Sequence, residues 1–234
     1  MEIPIITLDC DWAPDFVIKE VAEMLSEQNV KATWFVTNDS PILSELMANP
    51  LFELGIHPNF DVDSTQGTTV DDVLKNLKKI LPDATTIRTH KLIQSTPILL
   101  KFQNYGIEND VSLLLFKTPN VEPHYIKYFK LFRFPYFWED DVQMYEDFEW
   151  DINSLTKTKG MKIFNFHPIH IYLNSSNMNI YNNLKKKNSF NSIKKQQLEN
   201  YINKDSKGVK TMFKSLLNHL KNKETFTISD LRNI

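Results

Sequence analysis

Thr7-Leu8-Asp9-Cys10-Asp11-Trp12 closes the first apolar run of the chain, which begins at Ile3-Pro4-Ile5-Ile6. The run reads as a buried strand with two carboxylates at its end, one residue apart. Side chains alternate along a strand, so Asp9 and Asp11 are expected to point the same way and Cys10 to turn into the core. Two such carboxylates raise each other's pKa and call for a cation or a proton between them. The plainer alternative is a solvated pair at the start of the next helix. At the C-terminal end of a parallel strand, where α/β folds build their sites, the first reading gains weight.

Outward from this stretch, short β-branched runs alternate with helical patterns. Asp15 is placed to cap a helix carrying Val17, Val21 and Met24/Leu25. Lys31–Val36 and Glu53–His57 read as strands. Thr69 and Asp72 form a capping-box pattern ahead of Val70, Val73, Leu74, Leu77 and Leu81. Thr85–His90 reads as a strand, and Pro97 opens a helix that Gly106 closes. Val111–Phe116, Leu131–Phe134 and Met161–Phe166 are strand-like. Val209, Met212, Phe213, Leu216, Leu217 and Leu220 mark an amphipathic helix. Thr225–Ile228 is a candidate last strand. The alternation predicts a single α/β domain over 1–234 with a parallel sheet, open or closed into a barrel. Residues 174–207 fit neither period and read as a surface excursion.

The chain has 234 residues, 41% apolar and 24% charged, with a net charge of −2. This excludes a disordered chain and gives no general case for nucleic acid binding. One cysteine excludes a disulfide scaffold and a multi-cysteine zinc site. No apolar run approaches the roughly 20 residues needed to span a bilayer. The N-terminus lacks a basic and apolar leader pattern, so the expectation is a cytoplasmic protein. Residues 172–223 hold eleven lysines against two acids, and the basic 185–223 part is a candidate for weak contact with a membrane surface.

Beyond Asp9 and Asp11, chemistry-bearing residues recur at strand ends. His57 ends the third strand, Arg88 and His90 the fourth, and His167 follows Phe164-Asn165-Phe166, with His170 three residues on. Each alone is more simply structural; at the same edge they point to a metal or acid–base site. Phe132-Arg133-Phe134-Pro135-Tyr136-Phe137-Trp138-Glu139-Asp140-Asp141 mixes aromatics with acids and suits either a sugar face or a packed rim. Candidate substrate contacts are Asn59, His90, Tyr136, Trp138, Asp140 and His170.

In this order the motifs resemble the polysaccharide deacetylase family, also called NodB-like or carbohydrate esterase family four. Thr7–Asp11 resembles its first motif, Lys31–Val36 its Ala-Thr-Phe-Phe-Val strand and Glu53–His57 its second motif. Ile87-Arg88-Thr89-His90 stands in the place of the third, Pro135–Asp141 is similar to a Pro-x-x-Trp-x-x-Asp-Asp segment, and Phe166-His167-Pro168 resembles the last. The resemblance implies a distorted parallel β/α barrel of seven or eight strands. It implies a divalent metal, zinc, on Asp11 and His57. It also makes Asp9 the general base, Arg88 its partner, and His167 the acid that protonates the departing amine.

One motif departs. The family's second metal histidine, four residues after the first, is Asp61 here, and the loop position that serves one surface-glycan branch is Gln66. The third ligand is expected at Gln66, with Asp61 the alternative and His90 a further one. The activity implied is metal-dependent hydrolysis of an N-acylated sugar, nucleotide- or lipid-linked, in surface polysaccharide synthesis. The alternatives are a non-catalytic glycan- or partner-binding protein and an amide hydrolase acting on a small metabolite.

Overall fold

A computed structural model describes residues 3–146, 149–187 and 193–233. Nine strands form one sheet in the order β6-β7-β5-β4-β3-β2-β1-β9-β8. Its most buried part is β1 (Pro4–Asp9), flanked by β2 (Ala32–Val36) and β9 (Lys162–Phe166), every residue of which is buried. That is why these strands read as unbroken apolar runs: a parallel sheet covered on both faces has no solvent side to alternate towards. β3 (Phe52–Ile56), β4 (Thr86–Ile87) and β5 (Asn109–Asp110) continue the sheet in parallel. Beyond them β7 (Leu131–Arg133) is also parallel, and β6 (His124–Ile126) pairs with it antiparallel at the edge. β8 (Trp138–Glu139) completes the other edge, beside β9.

The sheet curls. Leu115 N–H donates to Tyr136 O, Lys117 N–H to Phe137 O, and Phe137 N–H to Ile163 O, at 2.8–2.9 Å. The backbone beyond β5 is thereby tied to the segment entering β8, and through it to β9. The expected distorted parallel β/α barrel is this curled sheet, with irregular backbone in place of a regular strand over Val111–Phe116. The strand count is nine because three strands have only two residues and because β6 adds an antiparallel edge.

Helices pack on the outside: α1 (Asp15–Glu27), α2 (Ile42–Ala48), α3 (Val70–Ile80), α4 (Thr96–Phe102), α5 (Asp140–Tyr145), α6 (Ile152–Thr156), α7 (Pro168–Leu173), α8 (Met178–Lys187), α9 (Lys195–Glu199) and α10 (Val209–Leu220). The capping box of α3 forms as its sequence demands. All six apolar positions read for α10 are buried. Asp15 does not cap α1; it lies in the first turn and its carboxylate accepts from Ile42 N–H at 3.3 Å. Thr225–Ile228 is not a strand. Thr225 Oγ1 accepts from Lys31 N–H and Ile228 N–H donates to Thr33 Oγ1, so side-chain hydroxyls take the place of a ladder.

Residues 174–207 form α8 and α9, with Ser175, Tyr181, Leu184 and Leu198 buried; 188–192 lie outside the described residues. No helix among the described residues is long and apolar enough to cross a membrane. Gly55 in β3 is set by close approach: a Cβ there would lie 2.6 Å from the Thr86 carbonyl oxygen. Its absence lets β3 and β4 draw together just where His57 and Arg88 emerge.

Candidate active site

Asp9, the last residue of β1, is buried, and both of its oxygens are claimed. Oδ1 accepts from Arg88 Nη1 at 2.9 Å and Oδ2 from Asn165 Nδ2 at 2.8 Å. Arg88 has no exposed surface. Its guanidinium lies between the rings of Phe35 and Tyr136, 4.4 and 4.5 Å from their centroids. It also donates to Thr7 Oγ1 and to Val111 O. Burial alone would raise the Asp9 pKa, but the charges of Arg88, His57 and His167 outweigh it and hold the group below its ordinary value.

Asp11 lies past the end of β1. It and Trp12 have left-handed backbone, with φ of 42° and 56°. Strand alternation therefore does not aim Asp11; a tight turn does, and it still reaches the same edge. Its Oδ1 is 3.2 Å from His57 Nε2 and 3.3 Å from His90 Nδ1. His57 Nδ1 sits 2.7 Å from Arg88 O, and a carbonyl only accepts, so Nδ1 carries the hydrogen. The Nε2 lone pair is left facing Asp11. His90 is swung into place by a turn in which Lys91 and Leu92 have φ of 53° and 55°, and the Trp12 ring stands edge-on to it at 5.3 Å.

Asp11 Oδ1 is sealed from solvent and has no aligned hydrogen-bond partner. Burial raises the Asp11 pKa, yet the imidazoles of His57 and His90 hold it well below the usual range. Two imidazole nitrogens thus converge on a carboxylate oxygen that hydrogen bonds leave unsatisfied. This donor set fits a divalent cation.

His167 follows β9 and begins α7. Its Nδ1 is 2.7 Å from Asp140 Oδ1, and its backbone N–H donates to Asp140 Oδ2 at 2.8 Å. Nδ1 is therefore the donor, and Nε2 faces Asp11 Oδ2 at 3.6 Å. Burial disfavours the His167 cation, but Asp141, Asp140 and Asp11 outweigh it and put the pKa well above that of a free histidine. Glu139 completes this side, accepting from Tyr136 OH at 2.9 Å. Burial, with Asp141, Asp9 and Asp140 adding to it and His167 opposing, pushes Glu139 up to about 7. A buried carboxylate held ionised by a guanidinium and an imidazole paired with a carboxylate thus flank the candidate metal ligands.

A family model for WbmS-like polysaccharide deacetylases matches residues 6–185. The chain belongs to that family. It is 31% identical to the WbmS polysaccharide deacetylase of Bordetella bronchiseptica, assigned to O-antigen biosynthesis, over 92% of this chain and 90% of that one, with a TM-score of 0.83. At the level of fold it is similar to a polysaccharide deacetylase from Mycobacterium smegmatis, with 15% identity, 96% and 93% coverage and a TM-score of 0.52. It is likewise similar to 38% of a 4-alpha-glucanotransferase from Thermococcus litoralis, with 11% identity, 99% coverage of this chain and a TM-score of 0.53. No curated protein sequence matches the chain.

In this member of the WbmS-like polysaccharide deacetylase family, two of the positions expected to supply a third ligand, Gln66 and Asp61, are otherwise engaged. Gln66 Nε2 donates to Thr37 O and His57 O, and its Oε1 accepts from Asn59 N–H at 2.6 Å. Its amide braces the turn after His57 rather than facing Asp11. Asp61 pairs with Lys91 at the surface. His90, expected both among the substrate contacts and as a further candidate for the third ligand, stands beside Asp11 and His57. Asn59 accepts from Asp61 N–H.

The expected sugar face is also placed differently. Tyr136, Trp138 and Asp140 have no exposed surface, and His170 only 1%. Trp138 packs on Phe164 and Phe166 and donates to Gln143. The aromatic run is therefore core, and its polar members act behind the site. Asn165, Glu139 and Tyr181 do not stand out as site residues by sequence. Asn165 was readable, since it lies two residues before His167 on the same strand face. Tyr181, 4.7 Å from the His170 ring, comes from the patternless 174–207 stretch.

Proposed function

We propose that the chain is a divalent-metal-dependent N-deacetylase. Its substrate is an N-acylated sugar, nucleotide- or lipid-linked, used in building a surface polysaccharide such as the O-antigen to which its B. bronchiseptica relative is assigned. The observation that carries this reading is the unsatisfied Asp11 Oδ1 between His57 and His90, set between the Arg88-held Asp9 and the Asp140-held His167. The reaction takes place in the cytoplasm, and the basic 185–223 stretch lends weak contact with an anionic membrane surface.

Asp11, His57 and His90 would hold the cation, and zinc suits two imidazoles and a carboxylate. A bound cation supplies Lewis acidity at the amide oxygen and lowers the pKa of a nearby water. Asp9 takes the proton of the attacking water as the C–O bond forms, and Arg88 and Asn165 keep its carboxylate ionised and aimed. His167 gives its Nε2 proton to the sugar nitrogen as the C–N bond breaks, and Asp140 fixes its tautomer. Acetate and a free amino sugar result.

Protein purified without added metal should contain about one equivalent of zinc, one site taking one ion. It should release acetate from N-acetylated nucleotide sugars. His90→Ala should strip the metal, while Gln66→Ala should not. Absence of metal from a panel of zinc, cobalt, manganese and iron, with no hydrolysis, would leave a glycan-binding module on a deacetylase fold.

A further inference from the structure

Asp140 and Asp141 are adjacent in sequence and differ in surroundings. Asp140 is sealed against His167, whereas Asp141 keeps 33% of its side chain exposed. Asp141 Oδ1 is covered and, like Asp11 Oδ1, has no aligned hydrogen-bond partner, so the exposure lies on the other side of the group. That covered oxygen is 3.0 Å from His170 Nε2 and 3.7 Å from His167 Nδ1. His170 Nδ1 is in turn 3.1 Å from Ser175 Oγ, and Ser175 has no exposed surface.

The His170 imidazole bridges the Asp141 carboxylate, in contact at Nε2, and the Ser175 hydroxyl, hydrogen-bonded at Nδ1. Ser175 is anchored through its backbone, with N–H to His170 O and O accepting from Val209 N–H. Tyr181 closes the flank of the imidazole. Ser175–His170–Asp141 is thus a buried strut that ends in a fixed carboxylate at the rim of the site. A nucleophilic role for Ser175 is excluded by its burial.

We propose that Asp141 is a specificity-determining residue that binds the donor groups beside the scissile nitrogen: a hydroxyl in the substrate and the freed ammonium in the product. His170 and Ser175 are positioning residues that hold it. The carboxylate selects amino sugars presenting hydroxyls or amines at this edge and rejects sugar acids, because Asp9, Asp11, Glu139 and Asp140 already make the surroundings anionic. The inference rests on the deacetylase reading.

Calorimetric titration of the metal-loaded protein with glucosamine, glucuronate and acetate tests it. Wild type should bind glucosamine and reject glucuronate. Asp141→Asn should weaken glucosamine by about tenfold, as expected for loss of a charge-assisted contact, narrow the gap to glucuronate and leave acetate unchanged. His170→Ala and Ser175→Ala should weaken glucosamine in the same sense. His170→Gln, which keeps a donor near the Nε2 position, should restore it, a rescue that a merely structural role would not give. Unchanged glucosamine affinity in Asp141→Asn overturns the proposal; should that variant fail to fold, unchanged affinity in Ser175→Ala overturns it equally. Selective amine binding without hydrolysis of any acetylated sugar sinks the deacetylase reading alone. Hydrolysis with equal affinity for amine and acid sinks the role of Asp141 alone.

Discussion

The two ends of the central sheet each hold a partly covered carboxylate, and the two are treated in opposite ways. At the N-terminal half of β3, Glu53 accepts from Thr33 Oγ1 at 2.8 Å, from Thr86 Oγ1, and from both the N–H and the hydroxyl of Ser229. At the opposite edge, Asp11 Oδ1 faces two imidazole nitrogens and has no aligned donor. Both carboxylates sit among buried neighbours, so hydrophobicity does not separate them. The difference is satisfaction: four donors turn Glu53 into a clamp joining β2, β3, β4 and the C-terminal segment, whereas Asp11 is left wanting a cation. An unsatisfied buried polar atom costs stability and persists where function requires it.

Three experiments would break or sharpen this contrast. The largest effect is expected at Asp9, beside the unsatisfied end. Asp9→Asn should lower turnover by about 10²–10⁴, the usual cost of losing a general base, while metal content stays near wild type. Metal loss in this variant, read by elemental analysis, would mean that Asp9 shares the role given to Asp11. At the satisfied end the outcome should invert. Glu53→Ala should cost about 2 kcal/mol in urea unfolding, because it orphans the buried Thr33 and Thr86 hydroxyls, and leave turnover per folded molecule unchanged. A loss of turnover without a loss of stability would erase the distinction between the two ends.

The smallest effect concerns Glu139, whose folded pKa is raised by burial to about 7. A raised acid favours the folded state fully below its unfolded value of about 4.3, and the advantage fades as pH rises through the folded value. Glu139→Gln removes the penalty on the ionised form. In metal-free protein it should therefore gain about 1 kcal/mol over wild type at pH 8 and little at pH 5, a figure discounted because the group is partly exposed. Equal gains at both pH values would show that the side chain is not ionising there.

How much of this was legible in the sequence differs by kind of signal. Asp9, His57, Arg88 and His167 end strands that periodicity reveals, and the parallel fold follows from the same runs. His90 was legible only as the last of three candidates beside Asp11, because it is followed by a turn in which Lys91 and Leu92 adopt left-handed backbone. Neither is a glycine, so no residue type announces the turn. Trp138 reads as a sugar contact in the sequence because an aromatic beside acids looks the same from either side of a strand. Its partner Gln143 and the rings of Phe164 and Phe166 become neighbours only once β8 pairs with β9. Asp140 and Asp141 are indistinguishable by type, and only packing assigns one to His167 and the other to the rim. The α2 helix, seven residues long, was too short for a periodic signal to stand out.

The strand order also sets a schedule for the newborn polypeptide. β1 lies between β2 and β9, and Asp9 is tied to Asn165, 156 residues away. Asp11, His57 and His90 all belong to the first ninety residues, so those side chains have left the ribosome before β9 is made. The strand that covers the far side of β1, with His167 just after its end, follows roughly 4–15 s after His90 at ordinary elongation rates. For that interval one flank of β1 presents open N–H and C=O groups, the kind of edge to which a neighbouring chain can pair. Insertion of β9 closes that edge and brings His167 beside Asp11 in one event, so a ribosome-bound fragment can gather Asp11, His57 and His90 before His167 joins them.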